Sequence, residues 1–288
     1  KTLTPCPLAQ FAARQGISEI IKPERVNDDE PMAQIRAWRP DVIAVVAFGQ
    51  ILKKQLLDLP LFGCVNCHFS LLPKYRGAAP VIAALEAGER MTGVTVMHMG
   101  VGLDDGPIML QSFEPIYPDT TGGDLMNDLA IAGGVTLAKA LRLMDDNALP
   151  PEVPQDGQFA TYVKKLKKTD GLIDWNWPVI EIERRIRAYN PWPGCYTFMP
   201  SRLRRRGSTG RLVIYRSRIV KTLEPGWQEM PPDTVLKVDK QGPIVKCHDT
   251  ALQLLQVKPE GSQLMDGGAF GRGRPFQPLQ DRFEGVSV

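Results

Sequence analysis

Asp41-Val-Ile-Ala-Val-Val-Ala47 is a short, nearly continuous aliphatic run set between Trp38-Arg39-Pro40 and Phe48-Gly49. A run of that length without polar alternation belongs in a strand covered on both faces, so helices must pack on each side of its sheet. Gly63-Cys-Val-Asn-Cys-His68 reads as its neighbour. Asp29 to Trp38, Gln50 to Leu57 and Ala78 to Ala87 carry apolar residues at helical spacing. Thr92 to His98 and Pro107 to Tyr117 read as further strands before a long helical stretch from about Gly123 to Met144. The order β, α, β, α, β, β, α predicts an α/β fold with a parallel-type sheet.

The pattern changes in the second half. Pro150 to Pro154 is Pro-rich, Tyr162 to Lys168 and Val179 to Tyr189 read as helical, and the helical period stops at Asn190-Pro-Trp-Pro193. Short β-branched runs follow at Leu212 to Tyr215, Thr234 to Val238, Pro243 to Cys247 and Ala251 to Val257, separated by turn signals such as Glu224-Pro-Gly226. They predict a small β-barrel or sandwich. Three regions result: a first domain over 1–165, a helical linker over 166–193, and a β module over 194–288.

Residues 195–288 hold fifteen Lys and Arg against nine Asp and Glu, while the rest of the chain is net acidic. Seven arginines from Arg202 to Arg218 occur with no acid between Ser201 and Leu223, a density that suits phosphates or, more blandly, a solvated loop. A hydrophobic fraction of 43% and a charged fraction of 23% exclude a disordered or low-complexity chain. No apolar stretch reaches membrane-spanning length and the opening residues do not form a signal peptide, so a cytoplasmic protein is expected. The five cysteines are odd in number and widely spread, as free thiols in a reducing compartment are.

Chemistry concentrates in Asn66-Cys-His68-Phe-Ser70-Leu-Leu-Pro73-Lys-Tyr-Arg76-Gly77-Ala-Ala-Pro80, where a buried strand runs out into a loop. Asn66 and His68 are two apart, so an extended backbone sends both side chains from one face. A neutral amide donor beside an imidazole is equipment for acyl or formyl transfer, with one polarising a carbonyl and the other moving protons. Gly102-Leu-Asp104-Asp105-Gly106 offers the carboxylate that would orient the ring. A structural histidine with turn-forming aspartates is the plain alternative. Cys64-Val-Asn-Cys67-His68 also spells the haem-attachment pattern, which an apolar strand in an unexported chain excludes. His98 and His248 lack partners at ligand spacing, so no metal site is expected.

The ordered set Asn66-x-His68-x-Ser70-Leu-Leu-Pro73-x-x-Arg76-Gly77-Ala-Ala-Pro80, Gly102-Leu-Asp104-x-Gly106, Ile173-Asp174-Trp175 and Arg187-Ala-x-Asn190-Pro-Trp-Pro193 resembles the folate-dependent formyltransferases. The RGAAP form and the NPWP element point to those members that act on initiator tRNA. The resemblance implies a Rossmann-like catalytic domain and a C-terminal OB-like barrel that binds tRNA. It puts Asn66, His68 and Asp104 in the catalytic places and Ser70, Leu71, Leu72 and Pro73 at the folate site, where apolar character and position in the loops beside Asn66 and Asp104 add Val101 and Leu103 as walls. It implies 10-formyltetrahydrofolate as formyl donor, the α-amino group of initiator methionyl-tRNA as acceptor, and a monomer without metal or membrane. A eukaryotic source would make it mitochondrial. Relatives begin with further strands and a basic loop ahead of the residue matching Lys1, so those N-terminal strands are expected to be absent from this chain. Charge adds Arg76, Lys164, Lys165, Arg204, Arg205 and Arg206 as tRNA contacts. Trp175, Trp177 and Trp192 are expected to pack at the domain junction. Formylation of a small-molecule amine, or an inactive RNA-binding relative, remain the other readings.

Overall fold

In the computed structural model, which describes residues 6–285, β1 (Ile43–Val46) lies parallel to β2 (Cys64–His68), with Val45 opposite Asn66. The reading of the opening residues as free of a signal peptide falls largely on 1–5, outside the described residues. Helices α1 (Pro7–Arg14) and α2 (Asp29–Trp38) precede the sheet, and the short α3 (Lys54–Leu57) connects its first two strands. The expected helix from Gln50 is cut to one turn because the stretch before it is pinned in extended form. The Gln50 side-chain oxygen accepts from Val26 N at 2.8 Å, and the Asn27 side chain bonds both Ile51 O and Lys53 N.

The sheet order is β1-β2-β4-β5, with β4 (Met91–His98) antiparallel to β2 and β5 (Ile108–Pro115) antiparallel to β4. This corrects the parallel-type expectation: the sheet is mixed. Six consecutive residues of β4 are buried, so its aliphatic run looks like that of a parallel strand. Between β2 and β4 lie the two-residue β3 (Arg76–Gly77) and α4 (Pro80–Ala87), which has Pro80 in its first turn where no backbone donor is needed. The long α5 (Gly122–Asp145) starts on a capping box in which Thr121 and Asp124 satisfy each other's backbone N–H. It buries Leu125, Leu129 and Ala140 against the sheet side of the molecule.

Residues 162–167 are not helical, contrary to expectation, and only a 3-10 turn follows from Lys168. Tyr162–Val163 form β6, which pairs in parallel with β3, so a tertiary strand pairing overrides the local helical spacing. Helix α6 (Val179–Ala188) then packs on α4. Its Ile182 and Ile186 belong to one core cluster that also holds Cys67 of β2, Leu129 of α5 and Leu252 of the β module, so the hydrophobic core is continuous from the sheet to the C-terminal part.

The C-terminal strands β7 (Cys195–Phe198), β8 (Arg211–Val220), β9 (Val235–Val238), β10 (Pro243–Lys246) and β11 (Ala251–Pro259) form one antiparallel sheet in the order β7-β8-β11-β10-β9. β12 (Met265–Asp266) pairs with β11 and leads into α7 (Gly267–Arg272). Both outer edges meet the same late segment: Glu284 bridges Phe198 of β7, and Arg282 bridges Thr234 just ahead of β9. One late stretch of chain thus lies against both edges of the sheet. Trp175 is buried there, its ring against Phe283 at 6.2 Å between centroids and its N–H donating to Thr197 Oγ1 at 3.1 Å. Trp177 is half-buried under the Arg185 guanidinium. Trp192 departs from the expectation and is 49% exposed, because the turn it sits in carries it off the core.

Candidate active site

Strand β2 has buried neighbours on both sides, which fixes its pleat: Cys67 joins the core while Asn66 and His68 leave from the opposite face. Burial pushes the Cys67 thiol up to about 11, so it stays a neutral packing group. Asp104 comes to the same face from the loop between β4 and β5. Its Oδ1 accepts from Asn66 Nδ2 at 3.3 Å. Its Oδ2 accepts from Gly77 N at 2.8 Å and lies 3.7 Å from His68 Nδ1. The first acid of the pair is therefore the one that converges; Asp105 is exposed and folds back on Gly102, where any Cβ would lie 2.0 Å from its carboxylate.

The other ring nitrogen of His68, Nε2, is 2.9 Å from Tyr75 O. A carbonyl only accepts, so Nε2 carries the proton of that bond and Nδ1 is the nitrogen that faces Asp104. Tyr75 holds its carbonyl there at φ 62, in the left-handed region. It is fastened at both ends: its N–H donates to Thr161 Oγ1 at 2.8 Å, and its hydroxyl donates to Glu89 at 2.8 Å. Burial first, then the Glu89 bond, push the Tyr75 phenol well up. Lys74 first, then Tyr75, hold Glu89 below its ordinary value.

One N–H of the Asn66 amide has no protein partner among the described residues, and the side chain is only half-buried. The site thus presents a free amide donor, an imidazole nitrogen and a carboxylate within one cluster. Several apolar side chains are not claimed by the core: Ile51 is 85% and Val101 81% exposed, and Phe48 and Leu103 are also exposed, Leu103 directly preceding Asp104 in the chain. Phe48 lies two residues beyond Val46, which pairs with Cys67. A cavity of about 830 Å³ opens on the side of the same loop where Gly100 and Val101 face Phe62 and Leu57. The three converging residues do not line it.

The folate candidates separate. Ser70 is fully buried with its hydroxyl donating to Lys74 O at 2.7 Å, and buried Leu72 donates its N–H to Thr95 Oγ1 at 3.1 Å. Thr95 closes that knot by donating to Ser70 O, and Gln111 adds a bond to Leu72 O. The Ser70 hydroxyl and the Leu72 side chain are thus engaged within the scaffold of the loop, so what these two residues offer a ligand is backbone. Leu71, Pro73 and Leu103 keep surface to offer.

The basic residues separate too. Arg76 is only 6% exposed, and its guanidinium donates to Gln155 Oε1 and to the Tyr162 hydroxyl, which removes it from contact with phosphates. Arg204 pairs with Glu284, and Arg202 with buried Asp281, so the first two members of the arginine run are held by acids. Lys164, Lys165, Arg205 and Arg206 are exposed. Sequence reasoning missed Tyr75, Gly77 and Gln155, which act through carbonyls, an N–H and an amide that residue type does not advertise.

An amide, an imidazole and a carboxylate at the rim of a mixed, helix-covered sheet, joined to a β module, make a site suited to acyl or formyl transfer in an enzyme of the α/β class. Residues 4–141 match the family described as formyl transferase, and 165–275 match its C-terminal domain. The methionyl-tRNA formyltransferase of Magnetococcus marinus is 39% identical over 93% of this chain and 80% of its own length. That of Stutzerimonas stutzeri is 38% identical over 98% of this chain and 83% of its own. The chain belongs to the methionyl-tRNA formyltransferase family. Among solved structures, the methionyl-tRNA formyltransferase from Clostridium thermocellum superposes with a TM-score of 0.53 at 20% identity, covering 76% of this chain and 88% of that one. HypX from Aquifex aeolicus in complex with tetrahydrofolic acid superposes at 0.59 and 15% identity, covering 83% and 40%. At those identities the two structures speak to the fold. Among the described residues, no helix is long and apolar enough to cross a membrane, and no group of three His, Cys, Asp or Glu is placed to hold a metal.

Proposed function

We propose that this chain transfers the formyl group of 10-formyltetrahydrofolate to the α-amino group of methionine on initiator tRNA. The observation that carries the reading is the Asp104 carboxylate, which touches the Asn66 amide and the Gly77 N–H and faces the His68 ring. The formylated folate supplies a carbonyl carbon that an amine attacks. Asn66 meets the oxyanion of the tetrahedral intermediate with its free N–H, a fixed dipole that needs no reorganisation when charge develops. His68 takes the amine proton at Nδ1 while Nε2 stays anchored on Tyr75 O, and Asp104 balances the charge of the ring. As the tetrahedral intermediate collapses, the bond from the formyl carbon to the folate nitrogen breaks and His68 returns the proton to that departing nitrogen. Leu71, Pro73, Val101 and Leu103, which lie in the loops that carry the cluster, wall the slot for the pterin. Lys164, Lys165, Arg205 and Arg206 hold tRNA phosphates without reading bases. The enzyme works as a monomer where translation starts, in the cytoplasm, or in the mitochondrion for a eukaryotic source.

Incubation with labelled formyl-folate and charged initiator tRNA, in parallel with small amines such as amino sugars, checks this reading. Label in formyl-methionine is expected. Label in a small amine alone would reassign the acceptor, and no transfer to any amine would leave only an RNA-binding role.

A further inference from the structure

The side-chain amide of Gln155 has every hydrogen-bonding position engaged. Its oxygen accepts from Arg76 Nε at 3.1 Å and Nη2 at 2.8 Å, and its nitrogen donates to Asp104 O at 2.9 Å and Gly106 O at 2.7 Å. The amide cannot be turned over, because the guanidinium only donates and the two carbonyls only accept. Gln155 therefore grips the backbone on both sides of Asp105, starting at the carbonyl of Asp104 itself, and ties it to the strand that carries Gly77.

Asp104 needs that grip. It sits at φ 48, a conformation that a residue with a side chain keeps only when its surroundings impose it. Gly106 sits too close to His98 O, at 1.9 Å from any Cβ, for the loop to close with another residue there. On the other side, Arg76–Gly77 is held by Tyr162–Val163, and the Arg76 guanidinium reaches the Tyr162 hydroxyl. The segment from Gln155 to Val163, which follows the sheet domain in sequence, thus clasps both pieces of chain that meet at the Asp104 carboxylate.

We infer that Gln155 is a positioning residue for formyl transfer, setting Asp104 against His68 and Asn66 through the 104–106 backbone. The inference rests on the proposed catalytic role of Asp104. A shift of about 1 Å in a reacting group costs on the order of 100-fold, so Gln155→Met, which keeps the stem and removes all four bonds, is expected to lower kcat by about tenfold to 100-fold. KM for folate and tRNA should stay unchanged.

The measurement that separates positioning from general stabilisation is a double-mutant cycle in single-turnover formylation. Gln155→Met should cost nothing further in an Asp104→Ala background, whereas a merely structural loss repeats in both. Gln155→Glu serves as the second variant: it keeps the acceptor for Arg76 but sets carboxylate oxygen against two carbonyls, so kcat should fall without loss of fold. Full kcat in both variants, or an equal loss with and without Asp104, overturns the inference. Full activity of Asp104→Ala alone instead overturns the catalytic assignment beneath it.

Discussion

The carboxylate oxygen of Asp104 that lies 3.7 Å from His68 Nδ1 also accepts the backbone N–H of Gly77 at 2.8 Å. One oxygen thus fixes the loop from β4 to the strand after β2, and the imidazole is held from its far side by Tyr75 O.

Asn66→Ala removes the free amide donor, and losing such a donor costs on the order of 100-fold in turnover. Asp104→Asn keeps an acceptor for Gly77 but loses the charge that faces the ring, and should fall at least as far. Thermal unfolding midpoints near that of the parent protein, together with steady-state formylation rates, distinguish chemistry from folding. Near-normal turnover in either variant would strike that residue from the scheme.

Gly77→Ala is expected to lose both stability and activity. Gly77 has φ +114, and a Cβ there would lie 2.3 Å from Val163 O, so β3 and β6 must part and Asp104 loses its backbone donor. A strained residue of this kind costs about 1–3 kcal/mol, readable in a denaturant titration.

The site was half legible in the sequence. Asn66 and His68 stand two apart in an aliphatic run, and a period of two says outright that they share a face. Asp104 was marked by its flanking glycines. Gln155 and Tyr75 were not, because they act across wide sequence gaps or through backbone atoms, and neither leaves a periodicity. Arg76 misled for the opposite reason: a guanidinium in a loop looks free until the chain folds Gln155 and Tyr162 over it. The direction of β4 was hidden as well, since a strand buried along nearly all its length has no alternation to betray an antiparallel neighbour.

Affinity for tRNA should fall linearly in log–log form with salt. Replacing Lys164, Lys165, Arg205 and Arg206 together with alanine should flatten that slope by about 0.7–0.9 for each phosphate that is no longer neutralised. Arg204→Ala should leave it nearly unchanged, because that side chain already pairs with Glu284. Filter binding at several salt concentrations reads both, and equal slopes for the parent and the fourfold variant would move the RNA site elsewhere.

The buried thiols make alkaline pH destabilising. Burial pushes Cys64 and Cys67 up from 9.0 to about 11 and Cys195 to about 12. The unfolded chain releases these protons near 9 while the folded one keeps them, so the contribution is whole below 9 and is lost as pH rises toward 11 to 12. Unfolding midpoints should drop across that window. Native protein at neutral pH should give up only exposed Cys6 to an alkylating reagent, and denatured protein all five.

The pairing of Phe198 with Glu284 and of Thr234 with Arg282 sets an order of events during synthesis. Until residue 284 clears the ribosome, two strand margins of the C-terminal module remain without partners, and a nascent chain stalled there offers them to its neighbours. Any tag or cut within the last few described residues would reopen both margins together, so aggregation of such products is the cost of seaming the two edges with a single late stretch of chain.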